Sequence, residues 1–314
     1  MEGWQLPLFP DESDEDQHAP PATTLNARSS VSMAMEGFHN HMVKRGLTEN
    51  TIKAFLADLR LFGTYVGLDK PLGEIGTEDL SNFLIYLRYH RDAPCTPKSY
   101  ARRLTTLKVF FGWLTEDGII LRNPAASIAH QKAKSPLPEI LYDRQVEQLL
   151  AATTALMEDQ KKADARPHLL VTLLLHTGLK KSACMGIRLS HIDSSNPAGP
   201  VLYVRYDDPN KRHKERKLAL PREFVPTLQQ YMAEYQPRAH LFECTPRNLE
   251  YVLTGAAELA GLEDISFEGL RMTCAVRRYR AGMPSDKLRK KLGLSIITWR
   301  DKEKQIQTLA SAPL

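Results

Sequence analysis

Between Thr96 and Gly118 the sequence TPKSYARRLTTLKVFFGWLTEDG spaces Tyr100, Leu104, Leu107, Phe111 and Leu114 three and four residues apart. That spacing sets all five on one face of a helix and leaves Lys98, Arg102, Arg103 and Lys108 mostly off it. A single amphipathic helix is marginal in water and needs other apolar faces to pack on. Three earlier segments supply them. Phe38, Met42 and Val43 have helical spacing before Gly46, a helix stop. Thr48 is placed to cap a helix reaching Gly67, with Ile52, Phe55, Leu59 and Phe62 on one face. Thr77 is placed to cap another, with Leu80, Phe83, Leu84 and Leu87 inward. Asn123-Pro124 ends this set, and the polar, Pro-containing AHQKAKSPLP at 129–138 suits an interdomain linker.

At 314 residues, with 42% hydrophobic content, the chain is long enough for about two domains with packed cores. Its second half alternates helical and extended patterns. Asp143 is placed to cap a helix that turns Val146, Leu149 and Leu150 inward, and Leu169 to Leu175 is a buried apolar run. VLYVRYDD and RKLALP alternate as two strands around PNKRHKE, and helices follow at 225–235 and 245–260. No apolar run reaches membrane-spanning length, and the N-terminus lacks the basic-then-apolar order of a signal peptide. Cys95, Cys184, Cys244 and Cys274 form neither a CxxC pair nor a metal-ligand spacing, which points to free thiols in a reducing compartment. A cytoplasmic protein without metal or organic cofactor is expected.

The net charge of +5 hides an asymmetry. The first thirty residues are acidic, Pro- and Ser-rich, and too poor in core-forming residues to offset the entropy of ordering. Within them Gln5, Leu6, Leu8 and Phe9 resemble the QLxLF peptide by which bacterial replication and repair proteins dock on the sliding clamp. The stretch 265–304 is the reverse, with Arg277, Arg278, Lys287, Arg289, Lys290 and Lys291 among its many cations. Such a surface fits a polyanion.

GLTENTIKAFLADLRLF, RRLTTLKVFFGWL, RNPAASI and SPLPEILYDRQVEQLL occur in an order that resembles the tyrosine recombinase, or phage integrase, family. The resemblance implies a mainly α fold with a small antiparallel sheet. A four-helix SAM-like core-binding domain at 31–128 would precede a catalytic-like domain at 139–305, with tails at 1–30 and 306–314. It also implies a phosphodiester site in which a Tyr attacks phosphate while fixed cations and His-class residues stabilise and protonate.

At those positions this chain departs from the family. The TGxR turn reads Thr177-Gly178-Leu179-Lys180, keeping charge but losing the planar fork of arginine. The acid three residues on is Ala183, and the hairpin lysine is best matched by Lys211, with Arg212 and Lys214 beside it. The HxxR box keeps Arg271 but has Glu268 for histidine, and the LGH turn has Leu294. No tyrosine follows Tyr279, and the nucleophile position falls near Glu303. These changes imply a DNA-clamping protein that holds duplex DNA without cutting it. Its contacts would come from Lys98, Arg102, Arg103, Lys180, Lys211, Arg212, Lys214, Arg271 and the 277–291 cations. Two alternatives stay open: an active site-specific recombinase with an atypical site or with a nucleophile supplied in trans, through self-association or by a partner recombinase, and a helical scaffold for RNA or an acidic protein.

Overall fold

A computed structural model of the chain describes residues 25–130, 136–263 and 265–311. It divides near residue 135 into two units, each with its own core. The QLPLF segment lies outside the described residues.

The first unit contains α1 (Val31–Lys44), α2 (Glu49–Val66), α3 (Thr77–Tyr89) and α4 (Pro97–Glu116). Thr48 and Thr96 are the N-caps of α2 and α4, their hydroxyls accepting the N–H of Thr51 at 3.3 Å and of Ser99 at 3.2 Å. At α3 the expectation shifts by one residue. Gly76 is the N-cap, and Asp79 accepts its N–H at 2.9 Å. The Thr77 hydroxyl donates instead to the carbonyl of Pro124, fastening the end of the bundle to its third helix. Phe38, Phe62, Phe83, Phe110 and Phe111 fill the core, several of them edge to face. Val43, expected inward with Phe38 and Met42, is exposed. Residues just before the expected boundary at residue 30 pack on this unit: Leu25 lies against Gly37, and Ser29 is buried.

Asp58 is a carboxylate inside this bundle, 5% exposed. It accepts from Arg102 and from the Thr106 hydroxyl, and Arg103 Nε lies 3.5 Å away. The two arginines expected on a DNA-facing helix surface therefore balance a buried charge.

The second unit begins with α5 (Asp143–Met157), whose N-cap is Tyr142 rather than Asp143. Asp143 is the first helical residue and pairs with Arg277 at 3.1 Å. The apolar run becomes α6 (Arg166–Thr177), apolar on nearly every face because α5, α8 (Phe224–Tyr235), α9 (Pro246–Leu259) and α10 (Phe267–Arg280) surround it. A short α7 (Lys181–Met185) leads to an antiparallel sheet of β1 (Ile192–Asp193), β2 (Val201–Val204) and β3 (Arg216–Ala219). Leu202 pairs with Leu218, both turned to the core. PNKRHK forms a 3-10 turn at Pro209–Lys214 between β2 and β3. The chain ends in α11 (Ser285–Lys291) and α12 (Ile296–Ser311). The expected boundary at 305 falls inside α12, which runs on because Ile306 is buried against α10 and α11. All four cysteines are free thiols, and no described helix is long and apolar enough to cross a membrane.

Replacing Asp58 with alanine would strand Arg103, with Arg102 still reaching solvent. The expected cost is about 2–3 kcal/mol, seen in urea unfolding of the full chain as a lower midpoint with unchanged slope.

Candidate functional site

Helix α10 starts at Ser266, whose hydroxyl accepts the Gly269 N–H at 3.0 Å. This start sets Glu268 in the first turn and Arg271 one turn later. Arg271 is 2% exposed. Its Nη1 donates to the carbonyl of Gly178, in the turn after α6, and its Nη2 to the carbonyl of Leu292 at 2.8 Å, in the turn after α11. Both turns need glycine. Gly178 has φ +63°, and a Cβ there would lie 2.8 Å from the Leu292 side chain. Gly293 has φ +62°, and a Cβ there would lie 2.6 Å from Arg216 Nη1. Burial brings the Arg271 pKa down to about 10, with Glu268 opposing the shift.

Glu268 Oε1 accepts from Lys302 Nζ at 2.6 Å, and its Oε2 lies 3.8 Å from Arg271 Nε. One carboxylate thus lies between two cations. Trp299, Lys302, Glu303 and Ile306 share one face of α12 at helical spacing, and Trp299 and Ile306 are buried. Glu303 accepts from the Ser285 hydroxyl at 2.5 Å, and that oxygen takes the Trp299 indole N–H at 3.0 Å. At the remaining positions Leu294 and Ala183 are buried in apolar clusters, and Tyr279 packs against α12.

Lys180 is exposed at the N-cap of α7. Partial burial lowers its pKa, and Arg271, Lys214 and Lys302 add to the effect against Glu268. Among the hairpin residues Lys214 is one whose charge acts on Lys180, while Lys211 pairs with Asp208 at 2.8 Å. Lys302 carries no signal in the sequence that marks it as a site residue. Only its partner, 34 residues earlier, identifies it. Tyr206, just past β2, lies near enough to Arg271 to affect its charge.

The expected DNA-contacting cations fall into two groups. Arg289 is held by Asp286 and by the carbonyl of Leu294 at 3.0 Å, Lys290 by Asp286, and Arg277 by Asp143. Lys98, Lys180, Arg212 and Lys287 are exposed and make no side-chain hydrogen bond or ion pair among the described residues. Lys214, Arg278 and Lys291 are half-buried and also lack such a partner among those residues. No described His, Cys, Asp and Glu cluster could hold a metal ion.

The pattern of the phage integrase family matches residues 139–298, just over half of the chain, and that of its N-terminal SAM-like domain matches 35–118. The chain belongs to the phage integrase family. It is 28% identical over 254 residues to the tyrosine recombinase XerC of Staphylococcus epidermidis, covering 76% of this chain and 81% of that one. XerC of Staphylococcus haemolyticus is 29% identical over 256 residues, covering 76% and 80%. Among solved structures the fold matches a lambda integrase dimer bound to a COC′ core site, with TM-score 0.68 and 16% identity over 91% of this chain and 79% of that one. It also matches XerH recombinase bound to palindromic difH, with TM-score 0.67 and 17% identity over 89% and 84%. At such identity these two likenesses speak to fold. The family assignment agrees with the two-domain, mainly α architecture and its small antiparallel sheet.

Arg271→Ala would leave two buried carbonyls without their donor and release both turns. A loss of about 3–5 kcal/mol is expected, measured as a fall in thermal stability without any ligand present. Arg271→Lys, which restores one donor, should fall between the alanine variant and the parent.

Proposed function

We propose that this chain holds duplex DNA through exposed cations of both units and has given up strand cleavage and transfer. The observation that carries the reading is the carboxylate of Glu268, paired with Lys302 beside Arg271. A phosphodiester approaching that place would meet a like charge, and the neighbouring cations are already partly neutralised. Two of the five Arg271 N–H groups are engaged by backbone carbonyls and the side chain is 2% exposed, so little of the guanidinium is within reach of an incoming anion. The nucleophile position carries Glu303, engaged with Ser285. A carboxylate attacking phosphate would form a mixed anhydride that water cleaves, breaking the strand rather than rejoining it.

DNA remains the best-supported partner. Both Staphylococcus relatives are named recombinases, and the two structural neighbours were solved on DNA. In this chain Lys180, Lys214 and Arg212 cluster around one hairpin and one helix start, with no protein anion in contact with any of the three side chains among the described residues. Neutralising phosphates there would release counterions and make binding steeply salt-dependent. The protein would then act as an architectural or regulatory clamp on chromosomal DNA, in the cytoplasm and on the nucleoid.

Duplex affinity measured across a salt series should give a log–log slope of several units. In the Lys180→Gln, Lys214→Gln double variant the slope should drop by about 0.9 for each phosphate that is no longer neutralised. An affinity indifferent to salt would remove the DNA reading.

A further inference from the structure

A second cationic place lies beside the first. His176, in the last turn of α6, and Cys274, Arg277 and Arg278 on α10 line a cleft of about 290 Å³, with Leu175 and Ala281 completing its walls. The charge of Lys291, at the end of α11, is felt by both His176 and Cys274. Glu268 and Lys180 do not line the cleft. The contact of Gly178 with Leu292 and Cys274 adjoins it.

The cations lining this cleft, and Lys291 near it, are short of counter-charge. Arg277 has Asp143 at 3.1 Å, and Glu223 acts on His176 from a distance. Arg278 and Lys291 are half-buried and make no side-chain hydrogen bond or ion pair among the described residues. Burial lowers the pKa of Lys291, and Arg278 and Arg216 lower it further against the thiol of Cys274. Burial likewise holds His176 below its usual value, with Arg278, Lys291 and Arg277 adding to the shift. A fold that gathers half-buried cations without anions raises its own free energy unless an anion arrives from outside.

We infer that this cleft is a binding site for a phosphate group, recognised by Arg278 and His176, which line it, with the charge of Lys291 nearby. A tetrahedral anion with several oxygens suits a guanidinium and an imidazole that line one cleft from two helices. The Arg278 fork can take two oxygens, the imidazole supplies another direction, and Lys291 adds positive charge from nearby. Leu175, Ala281 and Cys274 leave an apolar wall for the carbon side of an ester. The phosphate has two available sources: a free small phosphate ester, or a strand phosphate of bound DNA. The second source rests on the DNA reading above, and the first does not.

Calorimetric titration of the full chain with inorganic phosphate, in a buffer free of other multivalent anions, separates these cases. Saturable binding of one phosphate per chain, weakened about tenfold or more in Arg278→Gln and in Lys291→Gln, establishes the site for a free phosphate. If inorganic phosphate does not bind but each variant lowers the salt slope for duplex DNA by about 0.9, the occupant is a strand phosphate. The titration of the parent chain and the circular dichroism of each variant guard against a variant that merely fails to fold. No phosphate binding together with unchanged DNA slopes in correctly folded variants overturns the proposal.

Discussion

Arg271 joins three separate stretches of the second unit. Its guanidinium takes the last carbonyl region of α6 through Gly178 and that of α11 through Leu292. It does so from a side chain almost wholly removed from water. Helix ends leave carbonyls without intrahelical partners, and buried ones need a donor. A planar cation with several fixed N–H groups can satisfy two such ends at once, which a lysine cannot do with the same geometry. Both glycine turns, and the packing of Leu292 and Arg216 against them, depend on that arrangement.

The composition of the site follows from what surrounds this arginine. A buried cation on two neutral carbonyls still lacks a negative partner, and Glu268 supplies one from a turn away. Lys302 then balances the remaining charge of Glu268, and its place on α12 draws that helix against α10. Trp299 and Ile306 bury the apolar part of the same face. The C-terminal helix is thus held by one ion pair and an apolar seam, with Glu303 turned to Ser285. In this arrangement a carboxylate already paired within the chain occupies the position that the family resemblance assigns to a phosphate-handling histidine.

Local features were readable from the sequence and distant pairings were not. Thr48 and Thr96 could be read as caps because a cap and its helix are contiguous. Thr77 and Asp143 were misplaced by one residue, because Gly76 and Tyr142 cap through backbone N–H groups taken by Asp79 and Gln145, a signal weaker than a capping hydroxyl. The substitutions at Lys180, Glu268 and Leu294 were legible since their motifs are short. The engagement of Arg102 and Arg103 was hidden, because Asp58 lies on another helix more than forty residues earlier. The pairing of Lys211 with Asp208 was not legible either, since it depends on the 3-10 turn that the segment forms. The pairing of Lys302 with Glu268 was invisible for the same reason of distance.

Glu268, Arg271 and Lys302 thus form an ion cluster that runs from the buried guanidinium to the surface, in a protein proposed to hold DNA without cutting it. The decisive measurement incubates the full chain with sheared genomic DNA from its own host, which contains every native site. The protein is then denatured completely and assayed for DNA that stays covalently attached. The account predicts DNA retention before denaturation and none after it. DNA that remains bound to the denatured chain would contradict the account.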